Sequence, residues 1–224
     1  MGSYCIGDLS RREILRMSAV LAGAGTLSPA WLAWAESQLR RTPGQVRGPF
    51  YPGTNIWTRN LDLTRPRDAS GRASGQVLNV TGRVLNVAGE PVRGAQVEIW
   101  QANAYGRYRH PGDNNPAPLD PNFDGAAVLI TDADGRYAFK TIKPGAYPAG
   151  PNMMRPPHIH FQVTGREDRL VTQMYFEKEP LNDTDRLLNG AERKELLIAK
   201  LLPPPADLEP ESKLVMFDIV VFRG

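Results

Sequence analysis

The stretch Arg155-Pro156-Pro157-His158-Ile159-His160-Phe161 constrains this chain more than any other. Side chains two residues apart on an extended strand share a face. His158 and His160 therefore stand side by side, while Ile159 and Phe161 face the other way. These are two of the chain's three histidines. Two imidazoles on one strand face make half of a metal site. They read equally well as surface or hydrogen-bonded histidines on a β edge, so what the rest of the chain supplies decides between the two.

Most of the remaining signals are also strand signals. β-branched and apolar runs predict strands over 77–87, 95–101, 127–131, 136–142, 158–164, 170–176 and 213–222. Val97 and Ile99 are expected on one face, as are Tyr137 and Phe139. Asp132-Ala133-Asp134-Gly135 closes a hairpin; it is too short for a calcium loop and lacks the later glutamate. A single helical pattern covers 189–201 and ends at Pro203-Pro204-Pro205. With 21 glycines and 20 prolines among 224 residues, turns are plentiful. The predicted fold is mostly β: an antiparallel β-sandwich with a transthyretin-like core, long loops and one short helix near the C-terminus. The polar loop over 103–122 is long enough to expect a functional role or disorder.

Net charge is only +3 and the basic residues form no stripe, which argues against nucleic-acid binding. The single cysteine, Cys5, permits neither an intramolecular disulfide nor a cysteine-ligated metal site. Near the N-terminus, Ser10-Arg11-Arg12-Glu13-Ile14-Leu15-Arg16 precedes a moderately apolar run and then Ala33-Trp34-Ala35. That order resembles a twin-arginine export signal. The run is interrupted by Gly23, Gly25 and Pro29 and is weakly apolar for a spanning helix. The expected organisation is a signal over 1–35, an arm over 36–47 and one domain over 48–224. The expected location is periplasmic or extracellular, with membrane contact only during export.

The histidine strand needs partners. Glu167, Asp168, Asp132 and Asp134 fall in turns and are poorly placed. Tyr147 lies in a loop eleven residues before His158, and Tyr108 lies in the long polar loop. A loop backbone can aim either side chain at a strand face. Two phenolates and two neutral imidazoles would suit a hard trivalent ion such as ferric iron, whereas zinc normally takes Cys, His and carboxylate. Spacing alone singles out neither tyrosine, and each also reads as an ordinary core or surface residue.

From about Gly48 onward the chain resembles the intradiol ring-cleavage dioxygenases, and within them the protocatechuate 3,4-dioxygenase group. Gly48-Pro49-Phe50-Tyr51, Glu98-Ile99-Trp100-Gln101-Ala102-Asn103-Ala104, Gly106-Arg107-Tyr108-Arg109-His110 and Leu119-Asp120-Pro121-Asn122-Phe123 carry the first half of the resemblance. Thr141-Ile142-Lys143-Pro144-Gly145-Ala146-Tyr147-Pro148, the histidine stretch and Phe217-Asp218-Ile219-Val220-Val221 carry the second. The resemblance implies a non-haem Fe(III) held by Tyr108, Tyr147, His158 and His160, with Tyr147 giving way when substrate chelates. It implies that Arg155 stabilises negative charge on the substrate ring and that Gln173 lies near it. The implied reaction cleaves a catechol-type diol with O2 to a cis,cis-muconate-type diacid. Implied partners are the diol and dioxygen, with a homo-oligomer left open. His110 matches no ligand and is read as a rim residue or a contact behind the ligands. Ala149 stands where some protocatechuate enzymes carry a large aromatic near the pocket.

A rival reading comes from Gly82 to Pro91, Gly94-Ala95-Gln96-Val97 and Thr131 to Phe139, which also resemble transthyretin-like modules without catalytic activity. Those modules lack the His-x-His strand and the tyrosine pair. An iron-binding relative with a closed pocket is a second alternative.

Overall fold

The computed structural model describes residues 39–53, 56–150 and 153–223. The expected export signal and Cys5 lie outside the described residues. In chain order the strands are β1 (Val77–Asn86), β2 (Gln96–Trp100), β3 (Ala126–Ile130), β4 (Arg136–Ile142), β5 (Tyr147–Gly150), β6 (Met153–Arg155), β7 (His158–Thr164), β8 (Arg169–Phe176), β9 (Ile198–Ala199), β10 (Lys213–Met216) and β11 (Ile219–Val221). A four-residue helix, α1 (Arg186–Asn189), lies between β8 and β9. Among the described residues no helix is long and apolar enough to cross a membrane.

Two sheets pack face to face, as the mostly-β sandwich reading expected. One has the order β3-β2-β7-β8-β9. In the other, β1 pairs antiparallel with β4 on one edge and parallel with β10 and then β11 on the other. β10 and β11 keep one register along β1 and are interrupted opposite Gly82. There the Phe217 carbonyl accepts the Tyr137 hydroxyl, and a Cβ on Gly82 would stand 1.9 Å from that carbonyl oxygen. The parallel pairings, including β8 with β9, depart from the purely antiparallel expectation.

Alternation builds the core. Val97 and Ile99 from β2, Ile159, Phe161 and Val163 from β7, and Leu78, Val80 and Val84 from β1 meet between the sheets. Each such fully buried side chain contributes about 1.5–3 kcal/mol. The opposite face of the β2–β7–β8 sheet is buried too, but by polar groups: Glu98, His158, His160, Gln162 and Gln173. Register sets Trp100, His160 and Gln173 in one row across three strands and His158 beside Tyr175 in the next.

The helix expected over 189–201 is displaced. α1 ends at Asn189 with Gly190 as its C-cap, Arg193 is left-handed at φ 59°, and a 3-10 turn at Lys194–Leu197 leads straight into β9. Leu197 and Ala199 alternate into the core while β9 pairs with Tyr175 and Phe176, so strand pairing overrides the local helical pattern. Over its described residues, 39–47, the expected arm is hydrogen-bonded to the domain. Leu39 N–H donates to Val87, Thr42 N–H to Val220 and Gln45 N–H to Val171, so this strap crosses from one sheet to the other.

Candidate active site

The polar face of β7 is roofed by two loops whose backbones touch through glycine. Gly106 has φ +80°, and a Cβ there would stand 2.1 Å from the Ala146 carbonyl oxygen. Gly145 returns the contact: a Cβ on it would meet Ala104 O and Gly106 N at 2.5 Å. Its own N–H donates to the Asn103 carbonyl at 2.9 Å. This interlocking puts Tyr108, two residues after Gly106, and Tyr147, two after Gly145, with ring centres 5.3 Å apart and nearly perpendicular. The long polar loop is ordered by its own side chains. Asn103 Oδ1 accepts the Tyr105 and Arg107 N–H groups, and Asp113 Oδ2 accepts the Tyr108 N–H at 2.7 Å.

His158 and His160 complete the cluster from below. Tyr147 lies 5.6 Å from the His158 ring and Tyr108 lies 6.3 Å from the His160 ring. His158 Nδ1 is 2.7 Å from the Pro156 carbonyl, which can only accept. Nδ1 therefore carries the proton, and the lone pair sits on Nε2. The two Nε2 atoms are 3.1 Å apart. Two nitrogens about 2.1 Å from one ion and roughly a right angle apart would have this spacing. A histidine ligand commonly donates its other N–H to a backbone carbonyl in this way. Trp100 stacks on His160 at 4.8 Å and 7°, and Phe50 covers Tyr108 at 4.8 Å.

The electrostatics favour neutral donors. Burial, then the Arg155 charge, lowers the His158 pKa to about 3 against the Pro156 hydrogen bond. Burial, then His158 and Arg155, lowers His160 well below its ordinary value. Burial pushes the Tyr108 hydroxyl well up and Tyr147 adds to it; burial also raises Tyr147, with Arg155 pulling the other way. The Tyr108 hydroxyl is buried and no partner meets hydrogen-bonding geometry. A buried polar group without a partner is costly, and a cation would satisfy it. Among the described residues no cluster of three or more His, Cys, Asp or Glu could hold a metal, and the side chains that stand over the two imidazoles are Tyr108 and Tyr147. Two imidazole nitrogens and two phenol oxygens fit a hard, highly charged ion such as ferric iron.

The histidine shifts carry a stability consequence. Below about pH 6.5 the unfolded chain protonates both imidazoles while the metal-free folded chain does not, so stability is lost as pH falls. Between pH 7.5 and 5, His158 alone should remove roughly 2 kcal/mol, and His160 acts in the same direction. Urea midpoints of metal-free protein at the two pH values measure this. A His158→Asn, His160→Asn double variant should flatten the dependence, and an unchanged slope would sink the assignment.

Arg155 and Gln173 join the same cluster. β5 and β6 pair Tyr147 with Arg155, and Arg155 Nη2 donates to Gln173 Oε1 at 2.7 Å. All six residues singled out in the sequence thus gather on one face. His110 stands at its margin, 5.7 Å from Phe50, with Nδ1 accepting the Gly112 N–H. Sequence reasoning gave no role to Asp185 and Tyr175, both bonded to Arg155. Asp185 had a signal, as a capping residue just before Arg186-Leu187-Leu188. Tyr175 shares the face of Gln173 at i+2. The strap had none: Val46 accepts from Gln173 Nε2, and Gln45 Oε1 accepts from the Tyr175 hydroxyl.

The profile of a family described as Dioxygenase matches residues 46–223, and all the residues just described fall within it except Gln45. The chain is similar to the protocatechuate 3,4-dioxygenase beta chain of Burkholderia cepacia, at 51% identity over 146 residues. That alignment takes in 63% of this chain and 62% of that protein. It is also similar to the hydroxyquinol 1,2-dioxygenase of Rhodococcus opacus, at 30% identity over 93% of this chain and 69% of that protein. Among solved structures it is similar to the dioxygenase domain of a dioxygenase–carbohydrate-binding protein fusion from Streptomyces sp. SirexAA-E. The identity is 27% and the TM-score 0.63, covering 83% of this chain and 100% of that domain. Since the profile runs through both sheets and both tyrosine-bearing loops, and the relatives share its chemistry by name, the chain belongs to the intradiol dioxygenase family.

Proposed function

We propose that this chain cleaves the ring of a catechol-type diol between its two hydroxyl-bearing carbons, with both atoms of O2 entering a cis,cis-muconate-type diacid. Diol and O2 together contain every atom of the diacid, so no external reductant is required. The observation that carries the reading is the meeting of a buried Tyr108 hydroxyl, with no partner at full hydrogen-bonding geometry, with Tyr147 and the paired Nε2 atoms of His158 and His160. These four would hold ferric iron, which when bound supplies the charge that lets a diol bind fully deprotonated and makes its ring reactive toward O2.

The chain's own residues then divide the work. Tyr108 is pinned through its N–H to Asp113 and is fully enclosed. Tyr147 begins a hairpin whose next three residues are exposed, so it is the tyrosine suited to yield its place. With iron held it would be a phenolate, and on yielding its place its Oη would take one of the diol's two protons, the other passing to solvent. Arg155 keeps a positive charge beside the site and stabilises negative charge as it develops on the ring. Phe50, Tyr51 and Trp100 exclude water around the pair of tyrosines.

Purified iron-loaded protein should be red-brown from tyrosinate-to-iron charge transfer. It should take up about one O2 per diol consumed with at least one of catechol, protocatechuate and hydroxyquinol. Colourless protein that retains no iron, or coloured protein that consumes O2 with none of the three, would contradict the reading.

A further inference from the structure

Arg155 is buried, and three of its five N–H donors are spent on the protein. Its Nε–H donates to Asp185 Oδ2 at 2.6 Å. Nη2 donates to Gln173 Oε1 at 2.7 Å and to the Tyr175 hydroxyl at 2.8 Å. A guanidinium carries five N–H donors in one rigid plane. Three are used, and the two on Nη1 meet no protein acceptor among the described residues. Fixing Nε and Nη2 fixes the plane, and so fixes the direction of that one free edge.

Of the three groups that hold Arg155, Gln173 and Tyr175 are neutral at ordinary pH. Among the described residues Asp185 is the only carboxylate within ion-pair distance of it, and both side chains are almost fully enclosed. Asp185 is itself rigid. Its second oxygen accepts the Leu188 N–H at 2.7 Å and caps α1. One carboxylate therefore ties the helix start to the guanidinium, thirty residues away in sequence.

Resting on the ring-cleavage reading above, we propose that Asp185 is a positioning residue for that reaction. It holds Arg155 so that the free Nη1 edge faces the bound diol. The helix cap alone does not account for it: a cap needs one oxygen, and the other is committed to Arg155.

Two substitutions separate the roles. Asp185→Ser keeps an oxygen able to cap α1 but reaches too little and lacks the charge to hold Arg155. Asp185→Asn keeps size and capping ability but loses the charge. In full-length, iron-loaded protein both should keep wild-type iron content and the wild-type visible band. KM for the preferred diol should change less than about threefold while kcat falls about a hundredfold, as expected when a charged group is displaced by an ångström. In an Arg155→Lys background, Asp185→Asn should add little further loss.

A second measurement needs neither iron nor turnover. In metal-free protein the Arg155 Nε–H should exchange with solvent at least about tenfold faster in Asp185→Ser than in wild type. Wild-type protein that cleaves no diol would overturn the reaction, whereas the exchange rate would still report the positioning. A kcat for Asp185→Ser within threefold of wild type, or an unchanged Nε–H exchange rate in that variant, overturns the proposal.

Discussion

Gly106→Ala is expected to cost roughly 3 kcal/mol or more and to strip the visible band from iron-reconstituted protein. Two effects add. Gly106 sits at φ +80°, where an alanine is strained by about 1–2 kcal/mol. Its new methyl would also stand 2.1 Å from the Ala146 carbonyl oxygen, far inside contact distance. The backbones must part, and they carry Tyr108 and Tyr147. Gly94→Ala is the control. It has φ +72° with nothing within 4 Å of the added carbon, so it should show the strain without the collision. Denaturant midpoints and the visible spectrum of both variants measure the difference. If Gly106→Ala costs no more than Gly94→Ala and keeps its colour, the interlocking of the two loops does not set the tyrosine spacing.

That contact marks where the sequence stops being legible. Period-two alternation located β4 and β7 to the residue, because a buried face leaves its signature in consecutive positions. His158 and His160 were legible for the same reason. Tyr108 and Tyr147 were not, except through resemblance: Tyr108 lies in a loop, and Tyr147, expected in a loop, instead opens the short strand β5, so the direction of each depends on which backbone it packs against. Gly106 and Gly145 lie near the tyrosines in sequence, but nothing local says that they meet each other. Asp185 and the strap at Gln45 and Val46 act across 30 to more than 120 residues. The misplaced helix has the converse cause. Leu196, Leu197 and Ala199 carry a local helical pattern, and pairing of Ile198 and Ala199 with Tyr175 and Phe176 outweighs it.

Tyr108→Phe should separate function from stability by moving them in opposite directions. In metal-free protein the Tyr108 hydroxyl is buried beside Tyr147 with no partner at full hydrogen-bonding geometry. Deleting it removes a desolvation penalty, so the metal-free variant should be as stable as wild type or up to about 2 kcal/mol more stable. The same deletion removes a proposed iron ligand. Retention of iron against a chelator should fall by about a hundredfold or more, since even residues behind the ligands are worth 10- to 100-fold. Tyr137→Phe tests the sign. That tyrosine is equally enclosed, but its hydroxyl donates to the Phe217 carbonyl. Losing the bond should cost about 1 kcal/mol and leave iron retention untouched. Both variants exchange one buried phenol for one phenyl ring, so side-chain volume cannot explain a difference between them. If Tyr108→Phe destabilises the metal-free protein as much as Tyr137→Phe does, its hydroxyl has a partner within the fold. The argument that this oxygen is reserved for a cation then fails.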